Sequence, residues 1–270
     1  MKILISNDDG VHAPGLLALY QALSTIAEVV VVAPSNEQSG CASALSISTP
    51  LYTHKLGSGF IAVNGSPADC VYLALHELYR HSDFDWVITG INSGANLGQD
   101  VLFSGTFGAA LTAQLFGIPA IATSLVGGGT KNDDAQQASH YQMAANEIVK
   151  LMTDTPILEA CKNLPYHVLN VNIPDVKSVA AIKGRKITAL SHSQIARPVH
   201  HVVDPRGRDA YWLSLRKRQR ELLTDDASIE SAETQMMDDQ AVAAGYISLS
   251  PVRLHHTPTE TLATFSALVL

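Results

Sequence analysis

Five short runs recur along the chain: KILIS from Lys2, EVVVVAP from Glu28, DWVITGI from Asp85, PAIATSLV from Pro119 and HVLNVNI from His167. Several are continuously apolar and rich in Val and Ile, the pattern of strands buried on both faces of a parallel sheet. The stretches between them carry helical spacing. After Pro14, which suits a first helical turn, Leu16, Leu19, Tyr20 and Leu23 fall at i, i+3, i+4 and i+7. In GSPADCVYLALHELY, Ser66 reads as an N-cap, Pro67 as the first helical residue and Asp69 as the acid of a capping box, ahead of Val71, Leu75 and Leu78. GTFGAALTAQLFG has so few charges that its helix is expected to be largely buried. Strand and helix in alternation require right-handed crossovers and a Rossmann-like, doubly wound, mostly parallel α/β sheet, with its chemistry at the carboxyl edge.

The pattern changes beyond Pro174, so residues 1–175 are expected to form the catalytic core and 176–270 an extension with a return strand. DPRGRDAYWLSLRKR reads as a strand or hairpin, TDDASIESAETQMMDDQAVAAG as an acidic segment that is partly loop, and YISLSPVRLHHT as the returning strand. VGGGTKNDD is the clearest flexible loop. A chain of 270 residues with 46% hydrophobic and 16% charged residues can bury one large core and is not disordered. No apolar run approaches the ~18 residues of a membrane span, and the N-terminus has no signal-peptide pattern. Cys41, Cys70 and Cys161 are odd in number and widely spaced, which fits reduced thiols in the cytoplasm. A net charge of -7 argues against a nucleic-acid duplex as partner, and RKRQR at Arg216 to Arg220 is expected to be a solvated arm.

The loops after the strands hold the chemistry. Asp8 and Asp9 follow the first run, Ser35 to Ser39 the second and Asn92 to Asn96 the third, so parallel strands would deliver all of them to one edge. Adjacent carboxylates repel, which raises a pKa or recruits a cation, and an all-oxygen set suits Mg²⁺, Mn²⁺ or Ca²⁺. A plain polar turn after an edge strand is the competing reading of the acids. Ser104, Gly105 and Thr106 open the buried helix, where free N–H groups favour an anion; an ordinary N-cap explains the same residues.

Other chemistries fit less well. Asp8 as a phosphoryl-accepting nucleophile would be expected with DxD spacing, whereas the acids here are adjacent. Ser39 lies in QSGCA, without a GxSxG elbow. His12 is a general-acid candidate or a surface histidine, and His54, His76, His140, His200 and His201 show no ligand spacing. A non-catalytic nucleotide- or phosphate-binding regulatory module could use the same loops.

Taken in order, NDDG at Asn7, APSNEQSG ending at Gly40, VNGSPADCV at Val63, GINSGANLG at Gly90, SGTFGAA at Ser104, GIPAIATS, NVNIP, DPRGRDAYW and GYISLSPV resemble the SurE family over nearly the whole chain. The resemblance implies a metal-dependent phosphomonoesterase acting on nucleoside 5′- and 3′-monophosphates, with trimming of short polyphosphate in some members. It implies one divalent cation per subunit, Mg²⁺ or Mn²⁺, on Asp8, Asp9, Ser39 and Asn92, with Asp8 and Asp9 catalytic. It further implies a phosphate pocket of Asn96, Ser104, Gly105 and Thr106, and a homodimer or homotetramer built through the C-terminal arm. Asn36, Ala44, Phe103 and Thr112 depart from residues common in relatives, which bears on substrate affinity and base preference rather than on the metal site.

Overall fold

The five apolar runs form the middle of a nine-stranded sheet, seen in a computed structural model that describes residues 1–127, 134–176, 178–192, 199–213 and 236–253. The strands are β1 (Lys2–Ser6), β2 (Glu28–Pro34), β3 (Thr53–Lys55), β4 (Ile61–Val63), β5 (Trp86–Ser93), β6 (Ala120–Leu125), β7 (His167–Ile173), β8 (Arg185–Ile187), β9 (Val199–Val203), β10 (Asp209–Leu213) and β11 (Ile247–Arg253). The sheet runs β3-β4-β2-β1-β5-β6-β7-β11-β8. From β4 to β7 every neighbour is parallel. β11 returns antiparallel to β7 and carries β8 parallel to itself, so two strands of the 176–270 segment extend the main sheet. The chain is therefore α/β with a mostly parallel, doubly wound sheet whose direction of winding reverses between β1 and β5.

The helices are α1 (Pro14–Leu23), α2 (Pro67–Leu73), α3 (Gly105–Leu115), α4 (Asp134–Asp154), α5 (Ile157–Lys162) and α6 (Asp238–Ala243). Pleating splits β1 between two cores: Ile3 and Ile5 pack with Leu16, Leu19 and Leu23 of α1 and Ile148 of α4. Leu4 faces the opposite layer, with Val71 of α2 and Phe107, Ala109, Ala110 and Ala113 of α3. Truncating a fully buried leucine such as Leu19 to Ala would cost about 2–5 kcal/mol. The expected helix starts are present: Pro14 opens α1, and Ser66 accepts the Asp69 N–H while Asp69 accepts the Ser66 N–H. The α2 stripe continues through a wider turn, Ala74–Leu78, that brings Leu75 and Leu78 against the second core.

Outside the sheet, β9 and β10 form an antiparallel hairpin across the DPRGR turn. Its Val199, Val202, Val203, Tyr211, Trp212 and Leu213 are exposed. Most of VGGGTKNDD, the RKRQR cluster, the acidic stretch up to residue 235 and the chain beyond Arg253 lie outside the described residues. No described helix is long and apolar enough to cross a membrane.

Candidate active site

The reversal between β1 and β5 opens the edge where the first and third loops meet. Asn7 closes the turn after β1 by donating from Nδ2 to the Gly10 carbonyl, 2.9 Å. That turn is laced to the loop after β2: the Gln38 N–H donates to the Asp8 carbonyl at 2.7 Å and the Val11 N–H to the Pro34 carbonyl at 2.8 Å. The β2 loop in turn meets the segment just ahead of α3, where the Ala42 N–H donates to the Phe103 carbonyl at 3.1 Å. Three loops distant in sequence are thus held by main-chain bonds that need no particular side chains.

Asp8 is 4% exposed and accepts the Thr106 hydroxyl at Oδ1 and the Thr106 backbone N–H. Burial nonetheless holds its carboxyl above the ordinary value, against those hydrogen bonds. Asp9 reaches across the reversal point to accept the Ser93 N–H at 3.0 Å. Its carboxyl is pushed up to about 6, first by burial and then by the charge of Asp8, against that hydrogen bond. Glu37 adds a smaller repulsion to both. No positive side chain contributes at either acid among the described residues.

The helix start lies directly against Asp8. A Cβ on Gly105 would stand 2.9 Å from the Asp8 Cβ, 3.2 Å from its Oδ2 and 2.8 Å from the Cys41 Sγ, so only glycine allows this approach. Ser104 caps α3 by accepting the Phe107 N–H at 3.0 Å. Thr106, expected to face phosphate, spends its hydroxyl on Asp8.

The remaining expected residues are placed less uniformly. Asn92, one residue before the end of β5, pairs with Ser124 beyond a register shift at Gly90, where φ is +119° and a Cβ would lie 2.3 Å from the Thr123 carbonyl oxygen. Its Nδ2 donates to the Gly94 carbonyl at 2.9 Å, which leaves the amide oxygen for a ligand. Ser39 is exposed and donates to Glu37 at 2.8 Å. Asn96 is buried in a network of amides: Nδ2 donates to Ser124, its N–H to Asn172, and its carbonyl accepts from Asn170 and Asn172. His12 is exposed.

Two groups near the acids carry no signal in the sequence. Tyr141 of α4 is 1% exposed and hydrogen-bonds Ser93, close enough to Asp9 and Asp175 that their charges join burial in raising its phenol pKa. His140 pairs with Asp175, which follows β7. Both lie on the inward side of an amphipathic helix, where their spacing resembles that of core residues. Glu37 was readable as the acid inside APSNEQSG but is overshadowed by the adjacent serines.

One buried and one half-buried acid side by side, with no cationic partner among the described residues, fit a hard divalent cation better than they fit an empty polar turn. Among the described residues no group of three or more His, Cys, Asp or Glu could hold a metal ion. A cation here would therefore take the rest of its shell from hydroxyl, amide, water or substrate oxygens.

Residues 3–197 match the family described as Survival protein SurE. Over all 270 residues, and over the whole of the relative, the chain is 77% identical to a protein of Psychrobacter cryohalolentis named 5′-nucleotidase SurE. It is 44% identical over 258 residues, 95% of each chain, to the Acinetobacter baylyi protein of the same name. The crystal structure of the SurE protein from Aquifex aeolicus superposes with a TM-score of 0.79 at 32% identity, covering 100% of both chains.

Proposed function

The chain belongs to the SurE family, and from that premise we propose that it is a metal-dependent nucleotidase hydrolysing nucleoside 5′- and 3′-monophosphates to nucleoside and phosphate. The observation that carries this reading is the Asp8–Asp9 pair at the carboxyl edge, Asp8 buried directly beneath Gly105 and Asp9 half-buried beside it, both carboxyls raised and neither met by a cationic side chain among the described residues. The names of the relatives supply the substrate class.

In the proposed reaction Asp8, Asp9, Ser39 and Asn92 would hold one Mg²⁺ or Mn²⁺ per subunit, which would supply Lewis-acid chemistry for the phosphoryl group and the attacking water. Asp8 is oriented by the Thr106 hydroxyl, which donates to its Oδ1. Asp9 is the proposed acceptor of the proton from the water that would attack phosphorus in line with the departing nucleoside oxygen. The start of α3 at Ser104, Gly105 and Thr106 directs its dipole at the phosphoryl group, while Asn96 holds the preceding loop. Short polyphosphate, whose terminal group offers the same oxygens, is a further proposed substrate. The exposed apolar hairpin β9–β10 supports a homodimer or homotetramer, and three free thiols support a cytoplasmic protein.

The test is phosphate release from a panel of nucleoside 5′- and 3′-monophosphates, first after chelation and then with Mg²⁺ or Mn²⁺ restored. Release that requires the metal supports the reading. Equilibrium binding of the nucleotides, with the ligand recovered unchanged, would replace it with the regulatory module.

A further inference from the structure

The loop from Asn92 to Gly98 is anchored along its length: the Gly94 N–H donates to the Leu125 carbonyl at 3.0 Å, Asn96 is held by amides of β7, and Gly98 is held from far away. The Gly98 N–H donates to Oδ2 of Asp238 at 2.7 Å across 140 residues of sequence. Oδ1 of the same carboxylate accepts the Ser191 N–H at 2.9 Å and the Asp239 N–H at 2.8 Å, and Asp238 is fully buried. Gly98 has φ +57°, and a Cβ there would lie 2.2 Å from the Ser191 carbonyl oxygen.

Ser191 and Asp238 are also the two sides of the neck from which the hairpin arm departs. The Asp238 N–H donates to the Ala189 carbonyl at 2.9 Å and the Ala189 N–H to the Met236 carbonyl at 3.2 Å, pinning the outgoing chain to the returning one. Gln99 meets His192 at 2.9 Å beside them. One carboxylate therefore closes the neck with one oxygen and holds the site loop with the other.

We propose that Asp238 is a positioning residue for the active site, joining the loop that carries Asn92 and Asn96 to the base of the hairpin arm. The inference rests on the reading of those two asparagines as site residues. Two donors on Oδ1 fix the plane of the group, so in Asp238→Asn the amide oxygen stays with Ser191 and Asp239 and the NH₂ faces the Gly98 N–H. This exchange removes the acceptor for Gly98 while the neck keeps its bonds.

The test combines hydrogen exchange of metal-free protein with steady-state kinetics under Mn²⁺ titration. In Asp238→Asn, amides 96–99 are expected to exchange at least tenfold faster, with those of β1 unchanged. KM and the half-saturating Mn²⁺ concentration should rise by about tenfold while kcat falls less, as for an outer contact that orients ligands. Gly98→Ala, which leaves the carboxylate intact but drives the loop off Ser191, should reproduce the kinetic change. Two folded variants with parental KM and Mn²⁺ response would overturn the proposal and leave Asp238 as a structural staple. Should neither variant fold, exchange in the parent decides: protection by Mn²⁺ of Gly98 and Ser191 together supports the link, and protection confined to Asp9 and Ser93 overturns it. A parent inactive on every substrate would overturn the nucleotidase reading instead, with the metal-free exchange of Asp238→Asn still judging the loop.

Discussion

Glu147 and the Asp8–Asp9 pair are both acids taken out of water, and the protein treats them in opposite ways. The Glu147 side chain is 8% exposed and meets Lys150 at 2.7 Å and Arg185 at 3.3 Å, so its charge is met from within the described chain. Asp8 and Asp9 receive hydrogen bonds but no cation from the described residues; burial raises both, and the charge of Asp8 raises Asp9 further. A carboxylate buried for stability is given partners, because an uncompensated charge costs several kcal/mol. Two left uncompensated side by side are the feature on which the proposed cation site rests. That contrast, more than the presence of acids, separates a ligand site from an internal ion pair.

The contrast breaks most visibly in activity. Asp8→Asn and Asp9→Asn are each expected to lower phosphate release about 100-fold or more, since an ion-holding charge is lost in the transition state. Glu147→Gln should leave release nearly intact while lowering stability by about 1–3 kcal/mol, the half-exposed lysine and partly exposed arginine limiting the cost. Release assays beside denaturant melts of the three variants check both halves. Equal loss of activity in all three would erase the distinction.

Stability against pH carries the next largest effect. A raised carboxyl favours the protonated folded state, so its stabilisation is complete below the unfolded value of 3.8 and, for Asp9, is lost as pH rises through about 6. The shift corresponds to about 2–3 kcal/mol. Metal-free Asp9→Asn should therefore melt above the parent near pH 8, with the gap closing toward pH 4. Adding Mn²⁺ near pH 8 should raise the melting temperature of the parent and not of the variant. Calorimetry in chelator and in Mn²⁺ reads both, and a variant less stable than the parent near pH 8 would mean the pair is compensated after all.

Much of this edge was legible because period and punctuation are local signals. The five Val- and Ile-rich runs are strands in the central parallel sheet, the Ser66–Pro67–Asp69 start caps α2, and the NDDG turn follows β1. What stayed hidden depends on contacts across long stretches of sequence. β3, β4 and β8 are three residues each, too short for a period to register. Asn96 reads as a loop amide, yet its bonds go to Ser124, Asn170 and Asn172, and no spacing distinguishes an amide facing ligand from one facing the core. Asp238 lies within the acidic stretch that reads as partly loop, and only the return of the chain to the neck gives its carboxylate a purpose.

Glycine at position 105 tests how closely the acids and the helix must approach. In Gly105→Ala the new methyl would meet the Asp8 Cβ at 2.9 Å and the Cys41 Sγ at 2.8 Å, so Asp8 or the start of α3 has to shift. Overpacking of this kind costs about 1–3 kcal/mol, and denaturant melts should show it. Activity should fall about tenfold beyond any unfolded fraction, because the atoms that shift are those proposed to hold the cation and the phosphoryl group.

The smallest effect belongs to another buried acid. Asp69 is 3% exposed and satisfied without a cation, by the Ser46 N–H and hydroxyl at 2.8 Å and by the Ser66 N–H at 2.9 Å. Ser66→Ala removes the α2 cap and a 2.6 Å bond to the Ala44 carbonyl, but it leaves every one of those Asp69 contacts in place. The expected loss is about 1 kcal/mol of stability. The Mn²⁺ concentration for half-maximal release should stay at the parental value, because the Asp69 oxygens are taken up by donors of its own chain. If that concentration rises, disturbance near any buried acid reaches the site, and the unshared charge of Asp8 and Asp9 loses its standing as the feature that defines it.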